Sequence, residues 1–390
     1  MTQENLADPL FLANPHPTYA RWRTEGPVRR VALPRGIDAW VVTGYEEARQ
    51  ALTDPRLAKA PRGPQSYSVN TAISKHMLAA DPPDHTRLRK LVAATFTTRR
   101  IEGLRPRIEE ITNGLLDEMS SHDHVDLIDA FAFPLPIQVI CELLGIPVDD
   151  RDKFRSWSGD IVAGSEVTGA ERMKAALGAL VAYIRALLDE RRDRLGDDLL
   201  SGLIAVRDSE DRLTETELIS MVFLLLIAGH ETTVNLIGNG TYLLLSDRDR
   251  WERVRADRSL LPNAIEEFLR YEGPVEMSTA RVATESFSFG GQRISAGDVV
   301  MVSLLGADRD AERFEDPDEL RFDRRHNAHL AFGHGIHYCL GAPLARLEAM
   351  VAFDKLLNRF PKLRLAVPAT DLTWRPGVLI RGLSSLPVQL

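Results

Sequence analysis

The sequence lacks most of the features that mark secreted, fibrous or nucleic-acid-binding chains. It has two cysteines in 390 residues. That is too few for a disulfide framework and suits reduced thiols in a reducing compartment. It has no basic excess: 48 Lys and Arg stand against 56 Asp and Glu, a formal charge of −8. Charge of that sign does not neutralise phosphates, which argues against a nucleic-acid partner. The longest strongly apolar run, Met221 to Ala228, falls far short of the roughly 20 residues that span a bilayer. The start, Met1-Thr-Gln-Glu-Asn-Leu-Ala-Asp8, is polar and acidic and carries no secretory pattern. A cytoplasmic protein without a membrane association is expected. Internal repeats, low-complexity tracts and long flexible linkers are also missing. Their absence favours one large domain over the two or three that roughly 150 residues per domain would suggest.

What remains is an ordinary globular composition, 44 % hydrophobic, able to bury a sizeable core. From about residue 84 to 250 the apolar residues fall at helical spacing. Ile108 to Met119 and Lys174 to Leu188 are examples. Leu213-Thr-Glu-Thr-Glu-Leu218 opens a further helix with a threonine cap and acidic residues behind it. That helix is apolar almost all round through Ala228, so it is expected to run through the middle of the molecule. Strand patterns fall elsewhere: Ala39 to Thr43, Asp298 to Ser303, and a hairpin from Ser286 to Ile294 turning at Gly290-Gly291. The tail from Val378 to Leu390 reads as a final hairpin.

The two cysteines differ in setting. Cys141 lies in the apolar helical end Ile140-Cys-Glu-Leu-Leu-Gly-Ile-Pro147 and reads as core packing, the usual fate of a lone cysteine. Cys339 lies in Phe332-Gly-His-Gly-Ile-His-Tyr-Cys-Leu-Gly341, just before the helix-like run that starts at Ala342. A thiolate offered from such a loop is a strong axial ligand for haem iron and favours O–O cleavage. Gly335 and Gly341 would let the backbone bend around the sulfur. Freed N–H groups and the positive end of the following helix would favour its anionic form. A metal site of His334, His337 and Cys339 is a second reading, but its spacing is irregular for structural zinc.

Three other clusters carry chemistry. In Ala228-Gly-His-Glu-Thr-Thr-Val-Asn235 the small residues Ala228 and Gly229 let something large lie against the helix, and Thr232 can turn its hydroxyl onto the Ala228 carbonyl. Glu231 is an acid in an apolar setting. His230-Glu231 is not the start of a zinc-protease motif, because Val234 stands where the second histidine belongs. Glu267 and Arg270 share a helix face at i, i+3. His85 and Arg89 share one at i, i+4.

Phe332, Gly335, His337, Cys339 and Gly341 together resemble the haem-binding loop of the cytochrome P450 family, Phe-x-x-Gly-x-His/Arg-x-Cys-x-Gly, at every fixed position. The other clusters resemble that family's oxygen-binding, Glu-x-x-Arg and His-x-x-x-Arg motifs. The resemblance implies a mainly α fold with small β-sheets, a single domain over residues 1–390. Within it a β-richer part would cover about 1–80, a helical body about 81–280, and the haem-binding loop 332–341. It implies haem b with Cys339 as the axial iron ligand, and Phe332, Ala228, Gly229 and Gly341 around the ring. Its propionates would be held by His85, Arg89, Arg281 and His337. Thr232 would help hold dioxygen and pass protons that Glu231 supplies. Glu267 and Arg270 would support the cysteine loop, joined by Arg324 or Arg325, between which the sequence does not choose.

Within the family the chain is similar to soluble bacterial members that oxidise polyketides, macrolides or steroids. The implied activity is haem-thiolate monooxygenation of a bulky hydrophobic secondary metabolite with O2. Electrons would come from a separate ferredoxin, met by a basic patch of Arg87, Lys90, Arg99 and Arg100, and the protein would be a monomer. Desaturation, epoxidation and phenol coupling are alternatives, and a non-enzymatic haem sensor a more distant one. Substrate contacts are expected from Pro61 to Leu78, Trp157 to Thr168, the central helix, Val275 to Thr279 and Val378 to Ile380.

Overall fold

The computed structural model describes residue 6 and residues 8–33, 37–59, 73–147, 150–196, 198–207 and 213–390. At its centre is the 31-residue helix Glu215–Leu245, roughly 46 Å long at 1.5 Å per residue. Its start is the expected threonine cap. The Thr214 hydroxyl accepts the Glu217 N–H at 3.2 Å, and a Glu217 carboxylate oxygen accepts the Thr214 N–H at 2.8 Å. Two donors that a helix end leaves free are thereby satisfied. By length and composition this helix would cross a bilayer, which its longest apolar run did not suggest. Yet 72 % of its most apolar stretch is buried inside the protein. Its apolar surface is used up by packing, as in the core helix of a globular domain.

Helices Pro134–Leu144, Ala170–Arg192, Leu261–Glu272 and Ala342–Arg359 pack directly on this central helix. Together with Arg105–Met119 they build the largest hydrophobic core. Cys141 is fully buried in it, as expected, and burial pushes its thiol up to about 12. The helices of Cys339 and of the Glu267–Arg270 motif meet at Gly240. A methyl group placed on Gly240 would lie 2.6 Å from Phe353 Cζ and 2.8 Å from Phe268 Cδ2. Those two rings pack 5.3 Å apart.

A five-stranded sheet lies beside the helical body. β1 (Val28–Leu33) and β2 (Ile37–Val42) are antiparallel, with Val28 opposite Val42. β3 (Leu57–Ala58) forms the far edge, and the short β4 (His124–Asp126) belongs to another sheet. β5 (Arg281–Ala283) is followed by the expected hairpin, β6 (Phe287–Phe289) and β7 (Gln292–Ile294), turning at Gly290 and Gly291, whose φ values are +53° and +77°. Positive φ at both positions is what a tight two-residue hairpin requires. β8 (Val299–Val302) lies parallel to β2 and antiparallel to β5, giving the order β1-β2-β8-β5-β3. Beside strands β1 to β3 the N-terminal part also holds the helices His16–Glu25 and Tyr45–Thr53.

The tail departs from expectation. Its turn begins earlier, with Arg375 N–H bonded to the Gly382 carbonyl at 2.8 Å and Ser384 N–H to the Thr373 carbonyl at 2.8 Å. The end does not fold back on itself. β10 (Pro387–Gln389) pairs with β4 on one side and β9 (Arg364–Leu365) on the other. An edge rich in unpaired N–H and C=O groups found partners far away in sequence, which no local pattern records.

Gly240→Ala should therefore destabilise the protein by about 1–3 kcal/mol through overpacking, seen as a lower urea midpoint. The exposed helical Gly114, around which a methyl group would meet nothing within 4 Å, should gain about 0.5–1 kcal/mol on the same change.

Candidate active site

The loop around Cys339 is closed by its own backbone. The Cys339 N–H donates to the Phe332 carbonyl at 2.9 Å, and the Tyr338 N–H to the Gly335 carbonyl at 3.1 Å. Gly335 has φ +72°, as the expected bend requires, and a methyl group there would lie 2.6 Å from Thr53 Cγ2. Gly341 differs from expectation: its φ is −82°, open to any residue. A methyl group on it would lie in ordinary contact, 3.8 Å from the Cys339 sulfur. Helix Ala342–Arg359 begins immediately after it. Desolvation raises the Cys339 thiol, while the Gly341 N–H, the Arg89 charge and the Ala342 N–H pull it down. In the protein alone the apolar surroundings win over the helix end.

Cys339 opens into a cavity with about 1070 Å³ of empty space, part of it reaching solvent. Ala228, Gly229 and Thr232 of the central helix line the same cavity, as do Phe332 and Gly341. Thr232 Oγ1 donates to the Ala228 carbonyl at 2.9 Å, the bond its spacing suggested. Gly229 has a second reason to be small, because a methyl group on it would lie 2.8 Å from Ile140 Cδ1 of the neighbouring helix.

Glu231 is placed otherwise than expected. It is buried and is not among the residues lining the cavity. Its carboxylate is engaged by Arg375 from the tail segment and lies 3.5 Å from His230 Nε2. His230 in turn contacts the Leu226 carbonyl at 2.6 Å and the Ser158 hydroxyl at 3.1 Å. Arg375, 144 residues from Glu231, had no signal in the sequence.

The basic side chains His85, Arg89 and His337 line the cavity, and the Arg281 charge reaches the His337 ring. His85 and His337 stack edge to face at 4.4 Å. The Ile336 backbone is near the His85 ring, yet neither ring nitrogen of His85 nor Nε2 of His337 has a hydrogen-bond partner among the described residues. Arg89 donates to the Tyr338 carbonyl at 2.7 Å. Arg281 donates to the Leu57 and Leu52 carbonyls at 3.2 Å each, with Nε left unpartnered. Burial lowers both histidines, and positive neighbours lower them further, His337 to about 3. Buried donors without acceptors, in a field of one sign, are costly unless an anion joins them. This donor set, with a thiol in the same cavity, fits haem and its two carboxylates. His334 and His337 do not gather with Cys339 into a three-ligand metal cluster among the described residues.

The support beneath the loop is an ion network. Arg270 makes a two-pronged bond to Glu267, 2.8 Å at each contact, with both side chains wholly buried. Its remaining N–H groups reach the carbonyls of Asp308, Pro317 and Glu319 at 3.0, 2.7 and 2.9 Å. The third member is Arg324, whose Nε bonds both Glu267 oxygens at 3.3 and 3.2 Å; Arg325 is exposed. Asn327 Nδ2 adds a bond to Glu267 at 3.0 Å. Alongside, Arg346 of the cysteine helix bonds Glu266 at 2.6 and 2.8 Å and lies 4.5 Å above the Phe332 ring. Glu348 lines the cavity with one buried carboxyl oxygen unpartnered among the described residues, and burial raises its pKa well above the usual range.

The expected substrate segments are only partly at the cavity. Met77, Leu78 and Val275 line it; residues 61–72 lie outside the described residues. Trp157 packs instead on Phe154 and Tyr183, and Val378 joins the N-terminal cluster with Met277. Of the basic patch, Arg87 is engaged by Glu217.

A sequence model of the family described as Cytochrome P450 matches residues 167–364. The chain is 51 % identical over 397 aligned residues to Cytochrome P450 107B1 of Saccharopolyspora erythraea, covering 98 % of this chain and 96 % of that protein. It is 45 % identical over 405 residues to 6-deoxyerythronolide B hydroxylase of the same organism, covering 100 % and 99 %. Among solved structures it resembles the tirandamycin C-bound P450 monooxygenase TamI, with a TM-score of 0.92 and 51 % identity over 99 % of this chain and 100 % of that one.

Removing Arg324 leaves part of a buried carboxylate without its partner, so Arg324→Ala should cost about 1–3 kcal/mol. Arg325→Ala should stay within about 0.5 kcal/mol of the parent. Urea unfolding of the two variants side by side checks this, and equal midpoints would reject the assignment of Arg324.

Proposed function

The chain belongs to the cytochrome P450 family of haem-thiolate monooxygenases, and on that footing we propose that it hydroxylates a bulky hydrophobic molecule of the polyketide, macrolide or steroid-like class. The observation that carries this reading is the cavity lining. Met77, Leu78, Phe96, Leu224, Leu225 and Val275 are all apolar and share one space with Cys339 and Thr232. Such a lining orients a large apolar ligand through shape, with few polar contacts to satisfy. The names of two relatives, 6-deoxyerythronolide B hydroxylase and the tirandamycin C-bound TamI, point the same way.

Cys339 would hold the iron, and His85, Arg89, Arg281 and His337 the two carboxylates. Haem, when bound, supplies the oxygen chemistry: one atom of O2 enters a C–H bond as hydroxyl, the other leaves as water, and two electrons and two protons are consumed. The protein's part is to position, to exclude water and to meter protons. The Gly341 and Ala342 N–H groups stabilise charge on the sulfur. Thr232 gives its own proton to the Ala228 carbonyl, so the hydroxyl lone pairs are free to accept from a donor in the cavity. Glu231 resupplies protons only when Arg375 releases its carboxylate, which ties proton delivery to the tail segment. Electrons come from a separate ferredoxin at Lys90, Arg99 and Arg100, whose charge suits an acidic partner. The protein acts as a cytoplasmic monomer without a nucleic-acid partner.

Macrolides or steroids added to the ferric protein should shift its spin state by displacing the iron-bound water. Shifts given only by small polar compounds would reject the substrate class. Thr232→Ala should lower product formed per electron roughly tenfold or more, general acid–base assistance being worth about 10²–10⁴-fold, with peroxide released instead. Unchanged coupling would remove Thr232 from proton transfer.

A further inference from the structure

His230 stands on the central helix between Gly229, which lines the cysteine cavity, and Glu231, which does not. Its ring is buried, and each ring nitrogen has a defined neighbour. Nδ1 lies 2.6 Å from the Leu226 carbonyl. A carbonyl oxygen has no hydrogen to give, so Nδ1 carries the proton of the neutral ring and Nε2 is bare. Nε2 lies 3.1 Å from the Ser158 hydroxyl, on helix Arg151–Ala163, and 3.5 Å from Glu231 Oε2.

The longer contact has a physical cause. A bare nitrogen and an ionised carboxylate oxygen are both acceptors, so they stand beyond the roughly 2.7–3.2 Å of a formed N–H···O bond. Arg375 holds the other carboxylate oxygen, Oε1. A proton arriving on Nε2 turns the ring into a charged donor, which then competes with Arg375 for the same carboxylate. Ser158 is built to bring that proton. Its hydroxyl lies within reach of both Nε2 and the Arg155 carbonyl, the latter at 3.4 Å. It can donate to a bare Nε2, or accept from a protonated one while donating to Arg155.

Phe133 packs edge to face on the His230 ring at 5.8 Å, and its own ring lies 4.9 Å from the Arg155 guanidinium. Phe133, Arg155 and Asp129, which pairs with Arg155, line a second cleft with about 1000 Å³ of empty space, part of it reaching solvent. This cleft shares no lining residue with the cysteine cavity. The charged groups around the ring are therefore Glu231 on its own helix, Arg375 from the tail and, behind Phe133, the Arg155–Asp129 pair. Burial lowers the pKa of the ring; Glu231 and the Leu226 carbonyl raise it, and Arg375 lowers it. A ring that holds its second proton weakly passes it on readily.

We propose that His230 is the residue through which Glu231 is reprotonated, with Ser158 handing the proton on. The proposal rests on the reading that Glu231 supplies protons to the cavity. In one passage the Ser158 oxygen takes a proton from solvent on the side of the second cleft and gives its own to Nε2. Nε2 then gives a proton to Glu231 Oε2, and the ring is neutral again. One proton has moved from solvent to Glu231, and no electron moves. His230 thus acts through Glu231, and protons enter apart from the cavity that takes the substrate.

The test uses purified holoprotein of the parent, His230→Gln, Ser158→Ala, Glu231→Gln and Arg375→Met. Glutamine keeps an amide donor and acceptor but carries no second proton. Testosterone is the probe, oxidised with a surrogate ferredoxin and its reductase in light and heavy water. Nitrogen NMR of the ferrous, carbon monoxide-bound protein reads the His230 ring. His230→Gln should form product roughly tenfold more slowly or worse, a positioned proton donor being worth about 10²–10⁴-fold. Its KM should stay near the parent's and its solvent isotope effect should grow. Ser158→Ala should show a smaller loss in the same direction. The parent ring should carry its proton on Nδ1, and Arg375→Met should move protonation of Nε2 to higher pH.

A raised KM with an unchanged isotope effect in His230→Gln would make the histidine a brace and overturn the proposal. A bare Nδ1 in the parent, or an unmoved Nε2 in Arg375→Met, would do the same, and NMR decides alone if testosterone is not oxidised. Should His230→Gln not fold, parental rate and isotope effect in Ser158→Ala would overturn it. A slow Glu231→Gln beside a parental His230→Gln overturns this proposal only; a parental Glu231→Gln overturns the role of Glu231 as well.

Discussion

Glu267 and Arg270 lie on helix Leu261–Glu272 with neither side chain reaching solvent. Taking two charges out of water costs several kcal/mol per ion even after relaxation. What offsets it is complete satisfaction. All five N–H donors of Arg270 are used, two on Glu267 and three on backbone carbonyls between Asp308 and Glu319. Glu267 takes, besides Arg270, the Arg321 N–H, Arg324 and Asn327. The carbonyls and side chains so gathered belong to the irregular stretch that leads into the cysteine loop. That stretch has no strand or helix ladder of its own to hold it, so its shape is set by one guanidinium and one carboxylate. With both ions so well satisfied, the network favours a unique backbone path. The sulfur inherits its position from it.

The rest of the site is fixed by close approach rather than by charge. Gly240 lets Phe268 and Phe353 meet against the central helix, and Gly229, about three turns earlier, lets Ile140 approach it. The first contact sets the distance between the helix that carries Thr232 and the helix that follows Cys339; the second sets its distance to helix Pro134–Leu144. The Glu266–Arg346 pair spans the same two flanking helices from outside. Packing thus sets the spacing of the flanking helices from the central helix, and the ion pair their spacing from each other.

What could be read from the sequence was what is encoded locally. The Thr214 cap, the Gly290-Gly291 hairpin, the bond from Thr232 to Ala228 and the loop around Cys339 each depend on residues within a few positions of one another. The mainly helical fold with small sheets came instead from the family resemblance, which local periodicity fits but does not establish. What the sequence hid was set by distant segments. Arg375 meets Glu231 across 144 positions, and nothing in either neighbourhood announces it. Arg324 and Arg325 are adjacent and chemically identical; only the path of the loop decides which one turns inward. The final strand left its expected hairpin because β4 and β9 offered it two ladders instead of one. Gly341 was expected to let the backbone bend around the sulfur, but its backbone is open to any residue, and the bend falls to Gly335 instead.

The cluster of basic groups at the cavity has a consequence for the life of the protein before it is complete. Arg89 and Arg281 keep their charges, and Arg281 Nε and ring nitrogens of the two histidines go unpartnered among the described residues until a dianion arrives. A ligand that binds only the folded chain adds stability in proportion to the logarithm of its free concentration over its dissociation constant. Here that gain is enlarged by the relief of repulsion already present. Newly made chains in a cell short of iron or porphyrin would therefore open more often in this region than finished ones. Proteases that sample opened states would remove them first, so the abundance of the enzyme would follow the supply of its cofactor without any dedicated regulator.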